Sequence, residues 1–248
     1  MKIVVIGGTG LIGSKLVARL AAQGHDAVPA SPKSGVNSVT GEGLGVALEG
    51  ADVIVDVSNA PDWSPAAVLD FFERSSRNLV AAGKAAGIKH HVALSIVGTD
   101  RMADLAYFHA KVAQEQVIKT SGLPYTIVRA TQFFEFVRSI ADAGAVDGKV
   151  VVPAALFQPI AADDVAAALA DVAVRTPLNA TIDIAGPDKQ PFASFVSRRL
   201  RAAGDGREVV ADPKAGYFGA VIDDQSLTPL GQARLGAIDF DSWLASAA

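Results

Sequence analysis

The stretch Ile6-Gly7-Gly8-Thr9-Gly10-Leu11-Ile12-Gly13 decides the fold of this chain. It follows a short apolar run that predicts a buried strand, and it opens an apolar periodicity that predicts a helix. Its glycines Gly7, Gly10 and Gly13 stand three residues apart. Glycine at such positions permits a tight turn, a close approach of the backbone to a phosphate, and close packing of helix on strand. The stretch therefore predicts the first strand-to-helix turn of a doubly wound, parallel α/β sheet.

The rest of the chain alternates short apolar runs with longer amphipathic segments, which is typical of βαβ units. The predicted strands are Ile3–Ile6, Asp26–Ala30, a short strand near Val36–Val39, Val53–Val57, His91–Leu94, Tyr125–Val128, Lys149–Val152 and Thr181–Ile184. The predicted helices are Leu11–Ala22, Pro65–Ala86, Asp104–Thr120, Ala162–Val174 and Phe192–Ala203. Asn78 lies inside a predicted helix, where Asn is a poor helix former, so it has either a specific hydrogen-bonding role or a solvated amide.

The composition excludes several kinds of chemistry. The 248 residues include no Cys, so disulfides, thiolate metal sites and a Cys nucleophile are excluded. The net charge is −4 and the basic residues are scattered, so we expect no nucleic-acid partner. The apolar run that ends at Gly7 is too short for a signal peptide or a membrane span, and we expect a cytoplasmic protein without a membrane partner. His90 and His91 point to opposite faces of a strand, and we expect no metal site.

A dinucleotide is the ligand that the glycine turn predicts, because a helix amino terminus offers free N–H groups and a positive dipole end to a pyrophosphate. The residues predicted to bind it at this turn are Gly7, Thr9, Gly10, Leu11, Ile12 and Gly13. The second strand ends without an acid for a ribose 2′-hydroxyl, and Ser31, Lys33 and Ser34 follow it. This favours NADP(H) over NAD(H), with a solvated loop lysine as the alternative interpretation of Lys33. Ser58 and Asn59, which follow Asp56 at the carboxyl edge of the sheet, are also predicted to contact the cofactor.

Ser95, Tyr107 and Lys111 form the predicted catalytic group. Tyr107 and Lys111 are four residues apart and lie on one face of a predicted helix. A nearby ammonium lowers the pKa of a phenol, so Lys111 is predicted to tune Tyr107 as a proton donor and acceptor. Ser95 follows a predicted strand and is expected to bond the substrate oxygen.

These motifs resemble those of the short-chain dehydrogenase/reductase superfamily, most closely its atypical NmrA-like branch. The resemblance is close over residues 1–135 and looser over the rest, where Gln158-Pro159-Ile160 is similar to a segment that borders the substrate cleft. It implies that Lys111 also bonds the nicotinamide ribose and that Tyr107 protonates the reduced carbonyl. Many NmrA-like members lack the Tyr and Lys pair, so its presence favours carbonyl and alcohol chemistry.

We therefore predict one Rossmann-type domain over residues 1–248. Residues 1–150 would mainly bind the cofactor and hold the catalytic groups, and residues 151–248 would cover the substrate. The predicted activity is transfer of a hydride between NAD(P)(H) and a small ketone, aldehyde or secondary alcohol, by a monomer or homodimer. The weaker substrate-pocket predictions are Ile96, Val97, Thr131, Phe133 and Phe157, with Trp63 as a further apolar wall. The alternatives are an NADP(H)-sensing regulator without turnover, a sugar-nucleotide epimerase or dehydratase, and a quinone reductase.

Overall fold

The computed structural model describes residues 1–246. Its strands are β1 Lys2–Ile6, β2 Asp26–Ala30, β3 Val53–Asp56, β4 His90–Ile96, β5 Tyr125–Ala130, β6 Ala145–Val146, β7 Lys149–Pro153, β8 Leu156–Phe157, β9 Ala180–Ala185, β10 Gln190–Pro191, β11 Val209–Asp212, β12 Gly216–Tyr217, β13 Ala220–Val221 and β14 Arg234–Leu235. Its helices are α1 Leu11–Ala22, α2 Leu44–Leu48, α3 Pro65–Ala86, α4 Ala106–Lys119, α5 Val137–Ala143, α6 Ala162–Ala173, α7 Phe192–Ala202 and α8 Phe240–Ser246.

The main sheet has seven strands in the order β14-β9-β5-β4-β3-β1-β2. β1 pairs in parallel with β2 on one side and with β3 on the other, so the strand order reverses at β1. In an open α/β sheet, ligands bind at the carboxyl ends of the strands at such a reversal. The predicted Rossmann-type α/β fold is confirmed, and its switch point lies between the ends of β1 and β3.

The chain divides into two compact units. The first comprises Met1–Arg129 and Val165–Ile182, and it holds the glycine turn, Tyr107 and Lys111. Its core is apolar, and Val4, Val5, Ile54 and Val55 are fully buried. The single-domain assignment, with a substrate-covering carboxyl-terminal part, stays a prediction.

The second unit comprises Ala130–Asp164 and the described residues from Asp183 onward. It contains the small sheet β11-β7-β6 and the hairpin β12–β13. An aromatic cluster forms its core, in which the ring centroids of Phe157 and Phe192 are 4.2 Å apart and those of Phe195 and Phe240 are 5.2 Å apart.

The strand predicted near Val36–Val39 is wrong, because this segment forms a turn. The Asn37 side-chain oxygen accepts hydrogen bonds from the N–H groups of Val39, at 2.9 Å, and Thr40, at 3.3 Å. Asn78 on α3 donates to the carbonyls of Ser38, at 2.9 Å, and Val39, at 2.8 Å. Such side-chain bonds to the backbone compete with strand pairing. Asn78 therefore has a specific bonding role, which is to hold this turn against α3.

Candidate active site

The glycine turn between β1 and α1 leaves no space for a side chain at Gly7 or Gly13. A Cβ atom at Gly13 would lie 2.1 Å from the Gly7 carbonyl oxygen, and one at Gly7 would lie 2.8 Å from the Cα of Ser58. Gly7 also has a φ of +80°, which favours glycine. The turn therefore packs tightly against the start of α1, as the glycine spacing predicted, and also against Ser58 in the segment that follows β3.

The start of α1 fits a dinucleotide pyrophosphate. Thr9, Gly10 and Leu11 are exposed. Gly10 caps the helix without a side-chain hydrogen bond. The first N–H groups of a helix have no intrahelical acceptor, so here they face a site that an anion can enter. Among the predicted contacts, Ile12 and Gly13 are buried behind this surface.

The segment after β2 forms a short helical turn over Pro32–Ser34. The Ser34 hydroxyl accepts a hydrogen bond from the Ser31 N–H at 2.9 Å and is within 2.9 Å of the Ser31 carbonyl. Lys33 lies exposed in this turn, while Ser31 is buried. Lys33 is thus open to a phosphate from solvent, whereas Ser34 is used to close the turn.

The segment after β3 joins the glycine turn to Tyr107. The Asp56 carboxylate accepts hydrogen bonds from the Ser58 N–H at 3.0 Å and the Ser58 hydroxyl at 2.6 Å. The next residue, Asn59, accepts a hydrogen bond from the Tyr107 hydroxyl at 2.7 Å. Because Gly7 packs against Ser58, the Tyr107 hydroxyl lies beside the predicted nucleotide turn.

Tyr107 lies half-buried near the start of α4, between aromatic rings. The Trp63 ring stacks on it with a centroid distance of 4.9 Å, and the Phe72 ring meets it edge-on at 5.6 Å. Burial raises the pKa of Tyr107 above its usual value, and the negative charge of Asp56 raises it further. Burial and the Asp56 charge thus act on this pKa in the direction opposite to the lowering predicted for Lys111, and the tuning role of Lys111 stays a prediction.

Lys111 lies one turn further along α4 and is buried. Its ammonium donates to the Leu94 carbonyl at 2.8 Å and to the side-chain oxygen of Gln114, and it lies 4.3 Å from the centre of the Phe72 ring. Burial lowers the pKa of Lys111 to about 8, against the opposing charges of Asp56 and Glu115. The Lys111 ammonium, which lies one helical turn from Tyr107, therefore loses its proton at a lower pH than an ordinary lysine.

The structure places Ser95 in a different network from Tyr107 and Lys111. Ser95 lies within β4, and its hydroxyl donates to the Glu115 carboxylate at 2.7 Å. Arg129 makes two further hydrogen bonds to Glu115, each 2.8 Å long. A hydroxyl has one proton to donate, so Ser95 can donate to a substrate oxygen only by giving up Glu115.

The predicted pocket residues differ in exposure. Phe157 is fully buried in the aromatic core of the second unit, which corrects its prediction as a pocket wall. Val97 is also fully buried, and Thr131 is 1% exposed. Ile96 and Phe133 keep partial exposure, and Phe133 stacks on Phe136 with ring centroids 5.6 Å apart.

Sequence reasoning missed Gln114, Glu115 and Arg129 as parts of the site region. Gln114 and Glu115 follow Lys111 by three and four residues, which places all three on the same side of α4. Lys111, Gln114 and Glu115 are buried. A run of polar residues at helical spacing on a helix that must cover a sheet is the signal that could have identified them.

No helix among residues 1–246 is long and apolar enough to span a membrane. Within the same residues, no group of three or more His, Asp or Glu side chains is placed to share a metal ion.

Known proteins resemble the chain in sequence. The photosystem II assembly factor Ycf39 of Cyanophora paradoxa is 28% identical over 149 residues, which cover 54% of this chain and 46% of that protein. The chain thus spans about half the length of the curated relatives it matches.

Solved structures share its fold. A short-chain dehydrogenase/reductase superfamily protein from Agrobacterium tumefaciens with bound NAD is 16% identical, with a TM-score of 0.75, and the match covers 100% of this chain and 96% of that one. The Citrobacter sp. triphenylmethane reductase complexed with NADP(H) is 18% identical, with a TM-score of 0.63, covering 86% and 79% of the two chains. A family model described as NAD(P)H-binding matches residues 7–176. Since this match covers most of the chain, the protein belongs to the NAD(P)H-binding family, as its glycine turn predicted.

Proposed function

We propose that the protein is an NAD(P)H-dependent reductase of a small, largely apolar ketone or aldehyde, with Tyr107 as the proton donor. The observation that carries this proposal is the hydrogen bond from Tyr107 to Asn59, 2.7 Å long, next to the segment on which Gly7 packs. This hydrogen bond supports a role for the phenol hydroxyl on a substrate bound beside the cofactor, because Asn59 directly follows the Ser58 that packs on the glycine turn. In this proposal the protein acts on a small molecule in the cytoplasm, as a monomer or homodimer.

Tyr107 enters the proposed reduction in its protonated form. A bound reduced dinucleotide would supply a hydride to the carbonyl carbon. Tyr107 stays protonated at neutral pH because burial and Asp56 disfavour its phenolate, so it holds the proton that the carbonyl oxygen needs. The C=O double bond then becomes a C–O single bond with one new C–H and one new O–H bond.

NADPH is the proposed reductant. The exposed Lys33 after β2 supports this choice, since a cation there can pair with a 2′-phosphate and no acid stands at the strand end. Ser31 precedes it on the same turn. The cofactor preference therefore depends mainly on one side chain at the rim of the site.

A turnover assay tests the proposal directly. The loss of absorbance of NADPH, with NADH in parallel, is measured against ketones, aldehydes and quinones for wild type, Tyr107→Phe and the control Tyr125→Phe. We expect carbonyl turnover that Tyr107→Phe lowers by at least about 100-fold, as for loss of a general acid. Dinucleotide affinity, measured separately, should stay within a few-fold. Equal activity of Tyr107→Phe on ketones and aldehydes would refute the proposal, and activity on quinones alone would favour the quinone reductase.

One observation favours a second candidate, a regulator that senses NADP(H) without turnover. The Tyr107 hydroxyl donates a hydrogen bond to Asn59, and the Lys111 ammonium donates hydrogen bonds to Leu94 and Gln114. Both groups therefore have internal partners, as groups with a structural role would. Dinucleotide binding without turnover on any carbonyl or quinone in the same assay would establish this alternative.

A further inference from the structure

Gln114 bridges two buried charges of the first unit. Its side-chain oxygen accepts a hydrogen bond from the Lys111 ammonium, and its side-chain nitrogen donates to the Asp56 carboxylate at 2.9 Å. Gln114 and Asp56 are each 1% exposed, and Lys111 is 3% exposed. The bridge therefore works out of contact with water, where a fixed hydrogen bond to a charge is strongest.

Asp56 fixes the direction in which the amide of Gln114 points. A carboxylate accepts hydrogen bonds only, so the NH₂ end of the amide must face Asp56 and the oxygen must face Lys111. Ser58 holds the other carboxylate oxygen of Asp56 with two hydrogen bonds. The position of the amide thus follows from the segment that also carries Asn59, the partner of Tyr107.

Several further groups surround the Lys111 ammonium. β4 contributes the Leu94 carbonyl at 2.8 Å, and α3 contributes the Phe72 ring. The charges that act on the ammonium are those of Asp56 from β3 and Glu115 from α4, and His91 on β4 is buried near Asp56. Tyr107 lies one turn earlier on α4. The Gln114 oxygen accepts a hydrogen bond from this ammonium, whereas Asp56 and Glu115 act on it through their charges.

We propose that Gln114 is a positioning residue for Lys111: its amide, oriented by Asp56, holds the ammonium against the Leu94 carbonyl, one helical turn from Tyr107. The inference rests on the proposed function in so far as Lys111 acts with Tyr107. Gln114 itself need touch neither substrate nor dinucleotide.

The first test reads Lys111 directly and needs no turnover. The side-chain nitrogens of isotope-labelled lysine are followed by NMR from neutral to alkaline pH, and the Lys111 signal is identified by its loss in Lys111→Met. We expect Gln114→Met to lower the titration midpoint of Lys111 by about one pH unit, because a charged hydrogen bond is lost. Gln116→Met, which changes an exposed glutamine of the same helix, should leave the midpoint unchanged.

A conservative variant separates positioning from packing. Gln114→Glu keeps an oxygen that accepts from the ammonium whether or not the carboxyl is protonated, so its midpoint should stay at or above that of wild type. Equal midpoints in Gln114→Met and Gln116→Met would overturn the proposal, and so would a lowered midpoint in Gln114→Glu. Thermal unfolding identifies any variant that fails to fold, in which case Gln114→Glu and wild type still give the comparison.

The second test measures turnover against pH for the same variants. The pH profile of kcat should move with the Lys111 midpoint in Gln114→Met, while Gln116→Met should match wild type. A profile that stays in place while the midpoint moves would overturn the link from Gln114 to catalysis. If wild type shows no turnover, the proposed function fails, whereas the NMR midpoints still decide whether Gln114 holds Lys111.

Discussion

Two neighbouring residues of α4, Gln114 and Glu115, belong to buried polar networks of opposite character. Glu115 is closed in by Arg129, by Lys119 at 2.8 Å and by the Ser95 hydroxyl. Gln114 is a neutral amide placed between a single ammonium and a single carboxylate. The first network neutralises its charge by direct ion pairs, and the second separates its charges by an amide.

The difference appears in how the central groups titrate. Burial alone would raise the pKa of Glu115, but hydrogen bonds from Arg129, Lys119 and Ser95 hold it below its usual value. Burial lowers the pKa of Lys111 to about 8, because its opposing charges do not repay its desolvation. The Glu115 network therefore stabilises the fold with a fixed charge, whereas the Gln114 network keeps a titratable charge next to Tyr107.

Breaking the Glu115 network at Arg129 should have the largest effect on stability. Arg129→Met leaves the buried Glu115 carboxylate without its two-point partner, and we expect a loss of about 3 to 5 kcal/mol in the free energy of unfolding. Urea unfolding at neutral pH measures it. The matched control is Lys119→Met, which removes a partly exposed partner of the same carboxylate and should cost about 1 kcal/mol or less.

The cost of Arg129→Met in unfolding free energy should also depend on pH. Because the folded-state pKa of Glu115 is lowered, its ion pair stabilises the protein above the unfolded pKa and loses this effect as pH falls through the folded one. The cost of Arg129→Met should therefore shrink in acid. A cost that equals that of Lys119→Met at neutral pH would contradict the assignment of Arg129 as the main partner.

The Gln114 network should also become more stable as pH rises, but in an alkaline range and through the loss of a buried charge. Between about pH 8 and pH 10.5 the unfolded chain keeps the Lys111 proton that the folded chain has lost, so wild type gains stability as pH rises. Relative to Lys111→Met, the gain should approach about 3 kcal/mol over this range. Unfolding curves at several alkaline pH values measure it, with the exposed Lys84→Met as the control. A constant difference between wild type and Lys111→Met would show that Lys111 titrates as an ordinary lysine.

The sequence predicted the parts of this molecule that depend on local patterns. Glycine spacing and apolar periodicity identified the turn at Gly7 and both full ranges Leu11–Ala22 and Pro65–Ala86. The strand near Val36–Val39 was wrong because Asn78, forty residues away along the chain, holds that segment as a turn. Local propensity carries no information about such a long-range bond.

The catalytic predictions show the same limit. Spacing placed Tyr107 and Lys111 on one face of a helix, which needs only the helical period. It could not show that Lys111 would bond Leu94 and Gln114, nor that Asp56 would act on Tyr107, since these contacts join separate strands and helices. The helical period predicts which residues of one helix share a face. Packing decides which partner each of them contacts on another strand or helix.

Ser95→Ala should have the smallest effect, and it decides to which network the serine belongs. The hydroxyl is one of several donors to Glu115, so we expect a loss of about 1 to 2 kcal/mol in the free energy of unfolding. The control is Ser76→Ala, since the buried Ser76 hydroxyl has no hydrogen-bond partner among residues 1–246 and its removal should cost nothing. Since Ser95 gives its proton to Glu115, carbonyl turnover in Ser95→Ala should fall by less than about tenfold, equivalent to about 1.4 kcal/mol in the barrier. A collapse of turnover with stability equal to that of Ser76→Ala would instead assign the hydroxyl to the substrate, because a donor committed to Glu115 cannot be lost without destabilising the pair it completes.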